Sequence, residues 1–88
     1  MELKAAIADP VTADVRMLDR AEGVLVALRR CRIEVAFDEI VSASKRHRVP
    51  TLRIARALVA LAADSPLDDD ATAAARYEWG SLLEGARG

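Results

Sequence analysis

Five cations crowd one bend of this chain: Lys45, Arg46 and Arg48 just before Val49-Pro50, and Arg53 and Arg56 just after it. A lysine ammonium is a point charge, whereas a guanidinium can grip a phosphate through two parallel N–H bonds or stack on an unpaired base. The chemistry on offer is therefore recognition of an anion, with no bond making. Each phosphate neutralised would release counterions, so binding would weaken as salt rises. A second reading stands beside this one, because cations at a helix C-terminus also offset the helix dipole and solvate the surface. Arg29 and Arg30, with Arg32, close an earlier helical segment and are open to the same two readings, and Arg20 lies further back on that segment.

Other chemistries find too few residues. His47 is the only histidine and Cys31 the only cysteine, so no zinc cluster and no internal disulfide can form. Ser42 and Ser44 have no glycine-bordered elbow and no second histidine for a triad. Asp68, Asp69 and Asp70 lack the alternating ligands, glycine and terminal glutamate of a calcium loop, and their position suits the start of a helix. There is no glycine-rich phosphate loop. We therefore expect no catalytic residue, no metal and no cofactor.

The charge is unevenly laid out. Residues 16–56 hold ten bases and five acids, a net +5, while residues 1–15 carry −2 and residues 57–88 carry −4, giving the overall −1. A basic middle between acidic ends points to an anionic partner that the whole-chain charge conceals. Eighty-eight residues make one small domain, and 52% hydrophobic residues suffice for a core. No apolar run approaches the roughly 18 residues that cross a membrane, and the N-terminus has no signal-peptide h-region, so a soluble cytoplasmic protein is expected.

Helical periodicity must position the cations. Leu3, Ala6 and Ile7 suggest a short N-terminal helix interrupted at Asp9-Pro10, with Thr12 as a candidate cap for a long helix. Met17, Ala21, Val24, Leu28 and Cys31 follow in steps of four and three, with Leu18 and Leu25 beside them. That stripe is close to a heptad seam and can pack against a second copy, so a homodimer is expected. Gly23 within it suggests a close backbone approach. A second helix over residues 33–46 would use Ile33, Ala36, Phe37, Ile40, Ala43 and His47, with Phe37 as the central plug. Thr51 would cap a third helix with Ile54, Ala55, Leu58, Leu61 and Ala62 inside. A tail helix would run from residue 71 toward residue 83, frayed by Gly85 and Gly88, and its Tyr77 and Trp79 could cover either the bundle or a partner. The expected class is all-α, a three-helix bundle with a long first helix and an additional C-terminal helix. Its cations would point outward around the bend to clasp a folded polyanion, and scattering of those cations over opposite sides or their pairing with the chain's own terminal acids would remove the basis for that reading.

Arg20-Ala21-Glu22-Gly23-Val24-Leu25, then Cys31, Ala36-Phe37, Ile40, Val49-Pro50 and Ile54-Ala55-Arg56-Ala57-Leu58-Val59 together resemble the ANTAR domain family, through about half of the chain. The resemblance implies a compact three-helix domain that binds hairpins in nascent leader RNA, commonly as a dimer, and prevents formation of a transcription terminator. On that basis residues 1–11 form an extension, 12–63 the RNA-binding domain, and 64–88 an acidic linker with a C-terminal helix. Its RNA-binding residues would be Lys45, Arg46, Arg48, Arg53, Arg56, Arg20, Arg29 and Arg30. Only residues 1–16 precede the resemblance, which suggests an output module without a sensory domain, or one served by a separate sensory or receiver protein. The acidic tail would shield the cations when RNA is absent.

Glu22 stands where the family commonly has lysine and Arg48 where it commonly has asparagine; Val26 and Leu28 replace a usual methionine and a frequent arginine. The alternative function is accordingly a degenerate relative that serves as a helical dimerisation or protein-interaction module and binds no RNA.

Overall fold

The computed structural model describes residues 10–87, and the side chains of residues 13–86. The expected helix around Leu3, Ala6 and Ile7 lies outside the described residues. Four helices and no strand occur within them: α1 (Pro10–Arg29), α2 (Ile33–His47), α3 (Thr51–Ala62) and α4 (Asp70–Arg87). Helix α1 begins on Pro10, whose missing N–H costs nothing in a first turn, so Thr12 lies inside the helix rather than at its cap. Helix α4 continues through Gly85 to Arg87, past the fraying expected there.

Each of the first three helices is followed by a residue with left-handed backbone, and none of these is glycine: Arg30 (φ 54°), Arg48 (φ 55°) and Asp64 (φ 60°). At Arg48 the reversal lets its N–H donate to the Lys45 carbonyl at 3.4 Å, while Val49 N–H donates to the Ser44 carbonyl at 3.0 Å. These bonds satisfy carbonyls that the end of α2 leaves without partners. Thr51 does not cap α3. Its hydroxyl lies 3.1 Å from that of the buried Ser44, which ties the two sides of the bend together.

Helix α3 is the middle of the bundle, packed chiefly against α1 on one side and α4 on the other. Ile54, Ala55, Ala57, Leu58 and Leu61 are all buried, a band broad enough to serve both neighbours, whereas Ala62 is exposed. Ala21 and Leu25 fill the core from α1, with Leu18, Val24, Leu28 and Cys31 half-buried against it. Much of the stripe expected to join two copies is thus already used within one chain. Gly23 is exposed, and a Cβ placed there would meet nothing within 4 Å, so no close approach inside the described chain explains it.

The central plug is Trp79, not Phe37. Trp79 is wholly buried with Ala71, Ala74, Ala75 and Leu83 of α4 around it in the same core, and Phe37 keeps 41% of its surface exposed. Helix α2 is rotated accordingly: Ala36, Ile40 and Ala43 face inward, while Ile33 and Phe37 face out. The larger indole, supplied by α4, fills the space that a three-helix packing would have left to phenylalanine.

Trp79→Ala should cost about 3–5 kcal/mol, a large share of the stability of so small a domain, whereas Phe37→Ala should cost only about 1 kcal/mol. Urea unfolding of the two variants checks the order. Gly23→Ala should raise stability by up to about 1 kcal/mol in the same assay, because helix propensity improves and nothing among the described residues is displaced.

Candidate nucleic-acid interface

The bend between α2 and α3 brings Lys45, Arg46, Arg48 and Arg53 to one end of the molecule because the Arg48 reversal folds the start of α3 back beside the end of α2. Arg56 follows Arg53 one turn along α3. Lys45, Arg48 and Arg56 are exposed and make no ion pair among the described residues. Arg46 and Arg53 are exposed too, but both are engaged. Arg46 holds Glu78 of α4 in a two-pronged bond, Nε to Oε2 at 3.0 Å and Nη2 to Oε1 at 2.7 Å. His47 Nε2 lies 2.8 Å from the same Glu78 Oε2, and its ring meets Tyr77 edge-on with centroids 5.4 Å apart. Arg53 donates to Asp70 at the start of α4 and lies 3.7 Å from Asp69. The expectation of wholly outward cations is therefore corrected at these two positions, which sequence separation hid.

Arg29 is a third engaged cation, its Nε 3.0 Å from Glu39 Oε2 on α2. The Trp79 indole donates to that same oxygen at 2.7 Å. A buried indole N–H needs an acceptor, so Glu39 fastens α1, α2 and α4 at one point. Arg20 and Arg30 are exposed and without an ion pair among the described residues, and they belong to α1 and its exit rather than to the bend.

Glu22 is not the surface charge that its place on the first helix suggested. It is 7% exposed, and burial, together with neighbouring Asp19, pushes its carboxyl above the ordinary range. Arg48 has a backbone explanation: it occupies the left-handed position after α2, where asparagine is favoured over larger side chains. The family's usual asparagine thus suits the turn, and arginine adds an outward cation at a conformational cost.

The carboxylates facing the cations behave oppositely to Glu22. Hydrogen bonds from Arg46 and then His47 hold Glu78 below the usual range, and the Thr72 backbone N–H, at 2.9 Å, leads the causes that lower Asp69, which caps α4. Glu78 reciprocally raises Arg46. Groups with lowered folded pKa stabilise the fold above their unfolded pKa and lose that contribution as pH falls through the folded value. Glu22, with a raised value, contributes fully below its unfolded pKa and loses that contribution as pH rises through the folded value. Glu22→Gln should therefore raise the melting temperature by a few degrees at pH 7, and thermal scans at about pH 4 should show that gain shrinking.

No helix among the described residues is long and apolar enough to cross a membrane, and no group of three or more potential metal-ligating side chains occurs among them. Neither a curated protein nor a solved structure matches the chain. The family model of the ANTAR domain matches residues 12–59, which takes in α1 from Thr12 onward, all of α2 and most of α3, with the bend and its cations inside. α4 lies beyond the matched residues. Since the match covers more than half of the chain and its helices are those described above, the protein belongs to the ANTAR domain family of RNA-binding antitermination regulators.

Proposed function

We propose that this protein binds hairpins in nascent leader RNA through the α2–α3 bend and so prevents formation of a transcription terminator. The observation that carries the reading is the set of exposed cations Lys45, Arg48 and Arg56 around that bend, unpaired among the described residues, with Arg46 and Arg53 beside them. Arg20, Arg29 and Arg30 are the secondary contacts in this reading, Arg29 after exchanging Glu39 for phosphate. Trp79 is buried and Phe37 only half-exposed, so the one strongly exposed aromatic among the described residues is Tyr77, beside His47; a single such ring favours recognition of backbone and shape, with at most one base stacked, over stacking of successive bases. Dimerisation through α1, whose residues 13–16 are exposed, would set two such bends on one RNA. The protein would act in the cytoplasm, where transcripts emerge.

Binding to a leader hairpin, measured by fluorescence anisotropy, should weaken by tens of fold between about 50 and about 200 mM salt if three cations meet phosphates. Arg48→Asn separates binding from folding. It should raise stability by about 0.5–1 kcal/mol through the left-handed turn, yet weaken RNA binding about fivefold and flatten the log–log salt slope by about one. Binding indifferent to salt and to Arg48→Asn would contradict the cation-borne interface, and no hairpin binding at low salt would instead favour the helical interaction module.

A further inference from the structure

We infer that Arg46 with His47, and Arg53, form two phosphodiester-binding subsites that Glu78 and Asp70 of α4 occupy in the RNA-free protein. The inference rests on the proposed RNA reading and extends it to how the site is regulated. A carboxylate gripped by both Nε and Nη2 of one arginine uses the geometry with which a guanidinium grips two phosphate oxygens. Glu78 also receives His47 on one of those oxygens, so this subsite presents a charged fork and a ring nitrogen to a single anion. Arg53 makes a simpler contact: its Nη2 alone donates to Asp70 and lies 3.7 Å from Asp69, so this second subsite places one guanidinium nitrogen against a pair of carboxylates.

The two subsites lie eight residues apart along α4, about 12 Å at the helical rise, too far for one phosphate to span. Arg46 stands between Lys45 and Arg48 in the chain and Arg53 lies in the first turn of the helix across the bend, so both subsites adjoin the free cations in sequence. Helix α4 does not swing away to release them, because wholly buried Trp79 is the very next residue after Glu78. Release is a side-chain exchange: Arg46 and Arg53 trade an internal carboxylate for phosphate while α4 stays docked. The acids act as internal competitors, lowering affinity for weak or non-specific RNA and demanding a ligand that delivers two phosphates together.

Glu78→Gln and Asp70→Asn keep side-chain shape while removing the competing charge, and Glu84→Gln changes net charge equally at an exposed α4 position with no ion pair among the described residues. Each of the first two should tighten hairpin binding by up to about fivefold and the pair by about tenfold. Each freed cation should also steepen the log–log salt slope by about one, which Glu84→Gln should not do. Elution from immobilised heparin, a polyanion unrelated to RNA, is measured in parallel. Hairpin binding by the parent protein that is unchanged in affinity and slope by Glu78→Gln and Asp70→Asn would overturn the subsites and leave the RNA reading standing. Later heparin elution of those two variants than of Glu84→Gln, with no protein binding a hairpin, would uphold anion subsites and overturn the RNA reading. No hairpin binding by any of the proteins, together with heparin elution of Glu78→Gln and Asp70→Asn no later than that of Glu84→Gln, would overturn both.

Discussion

Burial of one indole governs the arrangement of this molecule. Trp79 carries more apolar surface than any other core side chain and brings an N–H that must be satisfied, so its seat fixes both the depth and the direction of α4. Glu39 supplies the acceptor and in turn takes Arg29, drawing α1, α2 and α4 to a common point. Because Glu78 is the neighbour of Trp79 in the chain, placing the indole inside places a carboxylate at the edge, opposite the end of α2. The packing of the core and the electrostatics of the cation surface are thus consequences of the same contact.

Two demands compete at that surface. The end of α2 favours positive charge, since Lys45, Arg46 and His47 stand in its last turn, and the start of α4 favours the negative charge of Asp70. Folding brings these ends into register and neutralises part of each. What remains unpaired among the described residues is a smaller cation set than the sequence contains, namely Lys45, Arg48 and Arg56 at the bend. Dipole compensation and the proposed anion recognition are therefore compatible uses of one cluster. A surface already partly neutralised discriminates among polyanions better than a bare cationic patch, because a loose contact cannot displace a preformed, two-pronged pair.

Helical class, the α2–α3 bend, the acidic start of α4 and most of the inner face of α3 were legible from periodicity and turn chemistry, since each is a local property of the chain, although Ala62 proves exposed and Ala57 buried. The plug was misread because Phe37 sits at good helical spacing in α2, and spacing on a single helix does not reveal that a larger aromatic arrives from α4. Shielding of the cations by the acidic tail was expected from charge, but spacing could not name the particular pairs, Arg46 with Glu78 and Arg53 with Asp70, which span 32 and 17 residues. Arg48 is the instructive case. Its type signals a cation, but the reason asparagine suits that position is the left-handed backbone, which only the folded bend makes visible. Glu22 misled in the opposite direction, since a carboxylate on a helix face looks solvated until its neighbours are packed around it.

The central claim is that RNA takes the cations of the bend while α4 keeps its place. Titration of a leader hairpin into isotopically labelled protein, followed by NMR at the arginine Nε–H groups and at the single Trp79 indole N–H, addresses it directly. The account predicts large shifts at Arg46, Arg48, Arg53 and Arg56 with the Trp79 resonance essentially fixed. Shifts absent from the bend, or an indole signal that moves to its solvent-exposed position as RNA binds, would contradict it.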